Sequence, residues 1–236
     1  MKHTPSPSGP RRSLHVGHRG AAGHAPENTL AAIRKGIALG VDYVEVDIQR
    51  TRDGRLVVMH DLLVDRTTDG SGLLADLTWQ QLQLLDAGEG ERIPALEAVL
   101  AEADAHAGVM LEAKMPGLAA DLVRAVQASG FSGPVLYASF LHAELLAIRG
   151  LNPQAQTMAL IDDAPPSGAI FARDAEATHA GLSIECATPE LVATLRKAGH
   201  SVYVYTLNER EQIERAIAFG VDGLISDYPD RLPRCP

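Results

Sequence analysis

Short apolar runs alternate along the chain with longer segments in which apolar residues recur every three or four positions. The short runs predict β-strands, and the periodic segments predict amphipathic helices. Strands are predicted near Leu14–Gly17, Tyr43–Gln49, Val109–Lys114, Val135–Ser139, Gln156–Ile161, Gly181–Glu185, Ser201–Thr206 and Gly223–Ser226. Helices are predicted at Pro26–Leu39, Thr78–Leu85, Ala95–His106, Leu118–Ser129, Leu141–Arg149, Pro189–Ala198 and Glu209–Phe219. The alternation is typical of β-α units around a parallel sheet.

The number of predicted strands and the length of 236 residues indicate a single α/β domain. A TIM (β/α)8 barrel, which usually takes about 250 residues, fits both. We expect this barrel to span residues 14–232. Residues 62–93, which contain several glycines and one helical segment, predict a small insertion. Residues 1–13, rich in Pro and Ser, predict a flexible tail.

Two segments of the chain resemble each other: AIRKGIALGVDYVEVD and ERAIAFGVDGLISD both consist of a helix, the letters GVD and a strand. Two α-β units of the same geometry would suit the second and eighth strands of a barrel. A chance match is the alternative, because glycine is common at helix ends.

One further apolar run, Leu56–Met59, follows the second strand after only a short turn. A parallel connection needs a dozen or more residues, so this run predicts an antiparallel β-hairpin extending from the second strand. The Asp-Gly pair at 53–54 is a favoured two-residue turn. Centring the hairpin there pairs Asp47 with His60 and places both side chains on one face.

The composition excludes several functional classes. Lys and Arg number 21 against 30 Asp and Glu, a net charge of -9, and no basic run suggests a nucleic-acid partner. The 46% hydrophobic content and a mean hydropathy of -0.01 are ordinary for a globular protein. No apolar run approaches the roughly 18 residues of a membrane span, so no stable membrane association is expected. The tail lacks the apolar region of a secretory signal, which predicts a cytoplasmic location.

The cysteine content argues against two further classes. Only Cys186 and Cys235 are present, with no CxxC pair. We therefore expect two free thiols, not a disulfide framework or a structural zinc site. Free thiols are typical of a reducing compartment.

Acidic residues lie on strands expected to be buried. Glu45 and Asp47 are two positions apart, so they share one face of the second strand. Burying two like charges is costly unless a cation compensates them, and Mg²⁺ or Ca²⁺ prefers such oxygen ligands. Glu112 and Lys114 share a face of another apolar strand. Together these residues predict a divalent cation beside a basic group that holds an oxyanion; ion pairs with Arg or Lys are the structural alternative.

Two histidines complete this set. His18 and Arg19 end the first predicted strand, where a β/α barrel forms its active-site mouth. His60 is expected to face Asp47 across the hairpin. Two histidines across a metal-bound centre suit general base and general acid roles in phosphoryl or acyl transfer. For His18 a hydrogen-bonded structural role is the alternative, and for Arg19 a surface position.

Other chemistry lacks support in the sequence. There is no GxSxG, Walker, GxGxxG or HExxH motif. Five more histidines have no partner pattern and are expected to face solvent: His24, His106, His142, His179 and His200.

A spaced set of motifs carries a family resemblance over about residues 14–232. The motifs are HRG at 18–20, PENT at 26–29, EVDI at 45–48, TRDG at 51–54, VVMHD at 57–61, DRTTDGSG at 65–72, IPALEAVL at 93–100, LEAK at 111–114, ASF at 138–140, VYVYTLN at 202–208 and GVDGLISDYPD at 220–230. In this set the chain resembles the glycerophosphodiester phosphodiesterases of the bacterial, cytoplasmic type.

The resemblance implies a TIM barrel with a small insertion that binds one divalent cation. It implies hydrolysis of small-molecule glycerophosphodiesters, such as glycerophosphocholine or glycerophosphoethanolamine, to glycerol 3-phosphate and an alcohol. The cation would be Mg²⁺ or Ca²⁺, with Mn²⁺ a further candidate. Carried over by residue, the metal ligands are Glu45, Asp47 and Glu112, and the acid/base pair is His18 and His60.

The resemblance also assigns roles around these groups. Arg19 and Lys114 would neutralise the phosphate oxygens, and Glu27 would orient His18 or Arg19 or lie near the metal. Relatives commonly carry Trp where this chain has Tyr205, which keeps an aromatic wall for the glycerol end of the substrate. The stretch DDAPPSGAIFARD matches the family least, and we expect that side of the mouth to meet the leaving alcohol.

Two other functions remain open on the sequence. A lysophospholipase D-like activity on a monoacyl lipid would need an apolar groove, which Trp79, Leu82, Leu84 and Leu85 of the insertion could supply if they do not form its own core. A non-catalytic barrel that binds phosphodiesters would be expected to lack at least one of the metal or acid/base residues. The sequence predicts neither the oligomeric state nor the preferred headgroup.

Overall fold

The computed structural model describes residues 12–165 and 168–233, which contain nine strands and eight α-helices. The strands are β1 Leu14–Gly17, β2 Tyr43–Arg50, β3 Leu56–Val58, β4 Gly108–Ala113, β5 Val135–Ser139, β6 Gln156–Ile161, β7 His179–Ser183, β8 Ser201–Tyr205 and β9 Gly223–Ser226. The helices are α1 Leu30–Ala38, α2 Trp79–Leu82, α3 Leu96–Ala103, α4 Ala119–Ser129, α5 His142–Leu151, α6 Ile170–Asp174, α7 Pro189–Lys197 and α8 Arg210–Ala218. Residues 1–11 of the predicted tail lie outside the described residues.

Eight of these strands close into a parallel barrel. The hydrogen-bonded order is β1, β2, β4, β5, β6, β7, β8 and β9, and β9 pairs with β1 again. The remaining strand, β3, pairs antiparallel with β2 and is not part of the closed parallel barrel. The predicted TIM barrel with a hairpin on its second strand is therefore confirmed.

Side chains alternate along each strand between the barrel interior and the surrounding helices. On β2, the outward residues Val44, Val46 and Ile48 pack with helices α1, α3 and α4 in one large apolar cluster. The interior holds a separate apolar cluster of Val16, Met110, Leu136, Ala138, Met158, Leu160, Tyr203 and Ile225. Beyond this apolar cluster, toward the carboxyl ends of the strands, many of the interior side chains are charged.

Helix α1 begins four residues later than predicted. Thr29 caps it by accepting the Ala32 N–H on Oγ1, and the same hydroxyl donates to the carbonyl of Pro26. Asn28 takes a left-handed φ of 60°, so residues 26–29 form a turn and not a first helical turn. This turn directs Glu27 and Asn28 toward the mouth of the barrel.

The repeated GVD motif places equivalent aspartates in front of β2 and β9. Asp42 accepts the His15 N–H on its side chain and donates its own N–H to the His15 carbonyl. Asp222 makes the same two bonds with Val202. The motif therefore tethers each strand to a neighbour, and the two copies are the second and eighth strands of the barrel, as predicted.

The predicted register of the hairpin is wrong by one residue. The pairs are Ile48 with Val58 and Arg50 with Leu56, so Asp47 lies across from Met59 and not from His60. The connection is a three-residue loop, because Gly54 takes a φ of 88° and donates its N–H to the Thr51 carbonyl. Loops of this kind add a residue to the turn and shift the register.

Residues between β3 and α3 pack around an apolar cluster of their own. Its members include Val57, Val64, Leu74 and Leu82, with Trp79 and Leu85 packed against it. Most of the apolar insertion residues therefore form its core, as in the structural alternative, whereas Leu84 is exposed. Leu62, Leu63 and Leu73 of the insertion are also exposed.

Two further expectations need correction. Strand β7 starts and ends two residues earlier than predicted, because Thr178 and Thr157 exchange hydrogen bonds that extend the pairing at its start. His179, predicted to face solvent, is largely buried beside Tyr203, with ring centroids 5.5 Å apart.

Cys186 is a buried free thiol, and Cys235 lies outside the described residues. None of the helices in the described part of the chain is long and apolar enough to span a bilayer.

Candidate active site

The carboxyl ends of the barrel strands surround a cavity of about 360 Å³. Its lining combines charged groups on one side with an apolar floor and aromatic rings on the other. The lining residues are His18, Arg19, Glu45, His60, Met110, Glu112, Lys114, Ala138, Phe140, Leu160, Asp162, Tyr205, Thr206 and Ile225. Most of the sequence-predicted site residues therefore meet in one place.

Three acidic side chains lie together on the adjacent strands β2 and β4. One carboxylate oxygen from each of Glu45, Asp47 and Glu112 lies within 4.8 Å of the others, and all three residues are buried. Asp47 and Glu112 are direct register partners across the two strands. Among the residues that the structure describes, Glu45 Oε1 and Asp47 Oδ1 have no hydrogen-bond partner. Buried carboxylate oxygens without partners suit a cation with oxygen ligands, so this group could hold a metal ion.

The pKa values of these carboxylates are also consistent with a cation site. Burial and the charge of Asp47 raise the pKa of Glu45 above its ordinary value. The same two causes raise the pKa of Glu112, although Lys114 opposes them. Ionised carboxylates at such close quarters need a compensating positive charge, which a divalent cation could supply.

The turn after β1 positions His18 and Arg19. Arg19 takes a left-handed φ of 49° and donates its backbone N–H to Glu45 Oε2 at 2.8 Å. Gly20 follows with a φ of 88°, and a Cβ there would lie 2.5 Å from the backbone carbon of Ala32. Only glycine lets the turn approach α1 this closely, which explains the HRG motif.

Two basic side chains border the acidic group. The Arg19 guanidinium donates to Glu27 Oε1 at 2.7 Å, and its Nε lies 3.3 Å from Asp47 Oδ2. Lys114 Nζ donates to Glu112 Oε1 at 2.7 Å and lies 3.5 Å from Asp47 Oδ1. Both cations face the cavity, so they can neutralise an anionic ligand held there.

His18 is paired with a carboxylate from the last strand of the barrel. Its Nδ1 lies 2.6 Å from Asp227 Oδ1, and its Nε2 lies 4.0 Å from Glu45 Oε2. Asn208 donates to the other Asp227 oxygen at 2.6 Å and accepts the Asp227 backbone N–H. Burial lowers the pKa of His18, but the hydrogen bond with Asp227 and the charge of Glu45 outweigh it and raise that pKa.

His60 is paired with the carboxylate of the next residue, Asp61. Its Nδ1 lies 2.6 Å from Asp61 Oδ1. Arg66 donates from Nε and Nη2 to the two Asp61 oxygens at 2.5 and 3.1 Å. The Gln49 side chain donates to the three consecutive carbonyls of residues 59–61. His60 thus reaches the cavity from a loop held by Gln49 after the hairpin, and not by the predicted pairing with Asp47.

Glu27 links the residues around His18 to the residues around His60. It accepts from Arg19, and Arg66 donates to both of its oxygens at 2.8 Å. Burial acts to raise the pKa of Glu27, but the hydrogen bonds from Arg66 and Arg19 outweigh it and lower that pKa. Of the three positions left open by the sequence, Glu27 takes the one beside Arg19.

The far wall of the cavity is formed by Tyr205, Phe140 and Asp162. The two rings meet edge to face, with centroids 6.2 Å apart at 85°. The Tyr205 hydroxyl donates to the Ile161 carbonyl at 2.8 Å and lies 3.3 Å from Asp162 Oδ1. Tyr205 therefore lines the cavity as expected, but its hydroxyl is already engaged by β6.

Sequence reasoning missed several residues that hold this site. They are Asp227 and Asn208 beside His18, Arg66 beside His60, Asn28, which donates to Asp47 at 2.8 Å, and Asp162. Two of them carried a readable signal: Asp227 follows Ile225, and Asp162 follows Leu160, by the two-residue step that keeps a strand side chain facing inward.

Comparison with known proteins gives a consistent result. Residues 18–231 match the model of the glycerophosphoryl diester phosphodiesterase family. A glycerophosphodiester phosphodiesterase of Caldanaerobacter subterraneus is 34% identical over 94% of this chain and 96% of its own length. One of Bacillus subtilis is 31% identical over 94% and 85%.

Solved structures agree. A phosphodiesterase of Oleispira antarctica in complex with the product sn-glycerol-3-phosphate superposes with a TM-score of 0.86 at 27% identity, over 93% of this chain and 94% of that one. A glycerophosphodiester phosphodiesterase of Agrobacterium tumefaciens gives a TM-score of 0.83 at 29% identity, over 93% and 98%.

Proposed function

This chain belongs to the glycerophosphoryl diester phosphodiesterase family, and from that premise we propose that it hydrolyses glycerophosphodiesters by metal-dependent histidine acid/base catalysis. The substrates are deacylated phospholipid headgroups such as glycerophosphocholine and glycerophosphoethanolamine. The products are glycerol 3-phosphate and the free alcohol.

One observation carries this proposal: a buried trio of carboxylates, two histidines and two basic side chains border the same cavity. The carboxylates suit a cation, the basic groups suit a phosphate, and the histidines suit proton transfer. The non-catalytic barrel would be expected to lack one of these groups, yet all are present.

Glu45, Asp47 and Glu112 would hold the metal ion. When bound there, a divalent cation such as Mg²⁺ or Ca²⁺, with Mn²⁺ a further candidate, supplies Lewis-acid polarisation of phosphate oxygens. The unpartnered oxygens of Glu45 and Asp47 support this assignment.

Arg19 and Lys114 would hold the remaining phosphate charge. Their guanidinium and ammonium groups are kept beside the carboxylates by ion pairs with Asp47 and Glu112. Preorganised cations of this kind stabilise charge that builds on phosphate oxygens in the transition state.

His18 would act as the base. Because its Nδ1–H donates to Asp227, its Nε2 is left to accept a proton from the nucleophile. The nucleophile is the glycerol 2-hydroxyl or a water molecule. A cyclic phosphate intermediate would identify the first route, and direct incorporation of labelled solvent oxygen without it would identify the second.

His60 would act as the acid and protonate the leaving alkoxide. Its Nδ1 is engaged by Asp61, so Nε2 is the nitrogen available to the substrate. The two imidazoles enter the cavity from different elements, β1 and the loop after β3, as separate proton acceptor and donor require.

The direct test is release of glycerol 3-phosphate from glycerophosphocholine and glycerophosphoethanolamine after chelation, and again with Mg²⁺, Ca²⁺ or Mn²⁺ restored. We expect release to stop on chelation and to return with at least one metal. Release that survives full chelation would refute metal dependence, and no release with any metal would refute the activity on these substrates.

Glu45→Gln tests the metal site directly. It should abolish metal binding measured by calorimetry, whereas the exposed Glu97→Gln should bind metal as the wild type does. Tight metal binding by the Glu45 variant would remove this residue from the ligand set.

A second candidate is lysophospholipase D-like activity. The observation that favours it is the exposure of Leu62, Leu63 and Leu73, which follow His60 on the insertion and could contact an acyl chain. Choline release from a lysophosphatidylcholine that falls in Leu62→Ser/Leu63→Ser, with glycerophosphocholine turnover unchanged, would support it. Absence of choline release in the wild type would exclude it.

A further inference from the structure

Two poles of the cavity differ in the charged side chains that line it, one basic and one acidic. One pole lies at β1, β2 and β4, where Arg19 and Lys114 face the cavity. The other lies at the end of β6, two strands beyond β4, where Asp162 lines the opposite wall. Asp162 follows Leu160 of the cavity floor by two residues, so it continues the inward-facing side of β6.

Asp162 differs from the other acidic groups of the cavity in having no cationic partner. Glu45, Asp47 and Glu112 each lie within 4 Å of a basic nitrogen. Within the part of the chain that the structure describes, no basic side chain pairs with the Asp162 carboxylate. Among those same described residues, the Tyr205 hydroxyl is the side-chain group within hydrogen-bond distance of this carboxylate, at 3.3 Å.

The Tyr205 hydroxyl leaves most of the hydrogen-bonding capacity of the Asp162 carboxylate free. It already donates to the Ile161 carbonyl at the shorter distance of 2.8 Å. A hydroxyl has one proton, so Asp162 keeps most of its capacity to accept hydrogen bonds.

Aromatic side chains flank the same wall. Phe140 is 38% exposed and meets Tyr205 edge to face. The Phe140 ring also lies 5.8 Å from Lys114 Nζ, so Phe140 borders both poles of the cavity. A carboxylate beside the Tyr205 ring at the cavity rim is the combination that attracts an alkylammonium group, by charge and by cation–π contact. The rest of the wall, Ala138 and Leu160, is apolar and can contact methyl or methylene groups.

We propose that Asp162, with Phe140 and Tyr205, forms a subsite for the positively charged amine of the leaving alcohol and makes the enzyme selective for cationic headgroups. This rests on the proposed function, because the phosphate at Arg19 and Lys114 sets which end of the substrate reaches β6. A zwitterionic substrate then matches both poles of the cavity.

The test compares kcat/KM for glycerophosphocholine and glycerophosphoethanolamine with that for glycerophosphoglycerol, whose headgroup is neutral. In Asp162→Asn, kcat/KM for the two cationic substrates should fall about three- to tenfold, the range of an exposed ion pair with cation–π support. The value for glycerophosphoglycerol should stay within about twofold of wild type. Added salt should reduce the wild-type preference, since it screens exposed charges.

The matched control is Asp163→Asn. Asp163 is the next residue, is also exposed and does not line the cavity. Replacing it by Asn changes the net charge of the protein by the same amount as Asp162→Asn. Its selectivity should equal that of the wild type. An equal change of selectivity in both variants would mean a general charge effect and would overturn the subsite.

Two other outcomes would also overturn it. An equal loss on all three substrates in Asp162→Asn would place this carboxylate against the glycerol moiety that they share. Unchanged kinetics would mean that Asp162 does not contact substrate.

Failure of the proposed function would look different. The wild-type protein would then release no glycerol 3-phosphate from any of the three substrates with any metal. Loss of the subsite alone changes only the ratio between substrates.

Discussion

The two histidine–aspartate pairs of the cavity share one geometry and differ in what holds the aspartate. In both, imidazole Nδ1 lies 2.6 Å from a carboxylate oxygen. Asp227 is held by the neutral amide of Asn208, whereas Asp61 is held by the charged Arg66. The His18 side chain is 19% exposed and that of His60 is 33% exposed.

The difference changes the charge that surrounds each imidazole. An amide leaves the negative charge of Asp227 intact, so the hydrogen bond outweighs the cost of burial and raises the pKa of His18. Arg66 offsets the charge of Asp61, whose own pKa it holds far below the usual range. Arg66 therefore holds Asp61, and through it the His60 ring, with a charged group at two points.

The largest effect comes from removing either imidazole. His18→Ala and His60→Ala should each lower kcat about 10²- to 10⁴-fold, the contribution typical of a positioned acid or base. Metal affinity of His60→Ala, measured by calorimetry, should stay near wild type because His60 is not among the proposed ligands. His106→Ala, at an exposed site, is the control. Unchanged turnover in His60→Ala would remove it as the acid.

The next largest effect is expected when the carboxylate of one pair is replaced and its imidazole is kept. Asp227→Asn should lower kcat about 10²- to 10³-fold, because an amide in that place no longer favours the tautomer with Nδ1–H and a free Nε2. The control is Asp230→Asn, whose carboxylate pairs with the surface residue His24. Steady-state glycerol 3-phosphate release measures both. Equal rates in the two variants would show that Asp227 does not orient the base.

A smaller effect is expected from replacing Arg66, the cation that holds Asp61 beside His60. Arg66→Gln should lower kcat about tenfold, because Asp61 loses its two-point anchor and its charge is no longer offset, with metal affinity unchanged. Arg66→Lys should restore part of the loss, since it keeps the charge but not the fork geometry. The control is Arg92→Gln, because the Arg92 guanidinium donates to the Leu85 carbonyl in the same insertion. Full activity of Arg66→Gln would mean that the insertion does not position His60.

The smallest effect concerns a barrel histidine without a bonded carboxylate. Burial lowers the pKa of His179, although a hydrogen bond with the Thr157 backbone opposes it, and His179 Nδ1 lies 2.7 Å from the Thr178 hydroxyl. As pH falls below the unfolded value near 6.5, the unfolded chain binds a proton that the native state resists, and stability drops. His179→Gln should reduce this loss between pH 7.5 and 5.5 by about 1 kcal/mol or less, measured by urea unfolding, with activity at pH 7.5 unchanged. An undiminished pH dependence would contradict the assignment.

Much of the fold is readable from local pattern. The bounds of β1, β5, β6 and β9 agree with the prediction to the residue, because each is a short apolar run closed by a glycine, a proline or a polar residue. Helix starts are harder to read. Pro26 suggests a first helical turn, but the cap at Thr29 moves the start of α1 to Leu30.

The residues of the candidate site were likewise predictable from the sequence only in part. Glu45, Asp47, Glu112 and Lys114 could be assigned because a charged residue on an apolar strand is itself unusual. The position of His60 could not be derived from pairing, because one extra turn residue at Gly54 shifts the register and the loop after β3 places the side chain instead.

The sequence by itself determined the order of strands and helices and the strands that carry acidic residues. These properties depend on periodicity over a few neighbouring residues, so no distant contact is needed to read them. Only the tertiary structure decided which groups complete each histidine. Closure of the barrel brings β9 beside β1 and so Asp227 to His18, and the folding of the insertion brings Arg66 to Asp61 and Glu27. Such contacts join residues far apart in the chain, and their distances depend on register and closure, which no local pattern encodes.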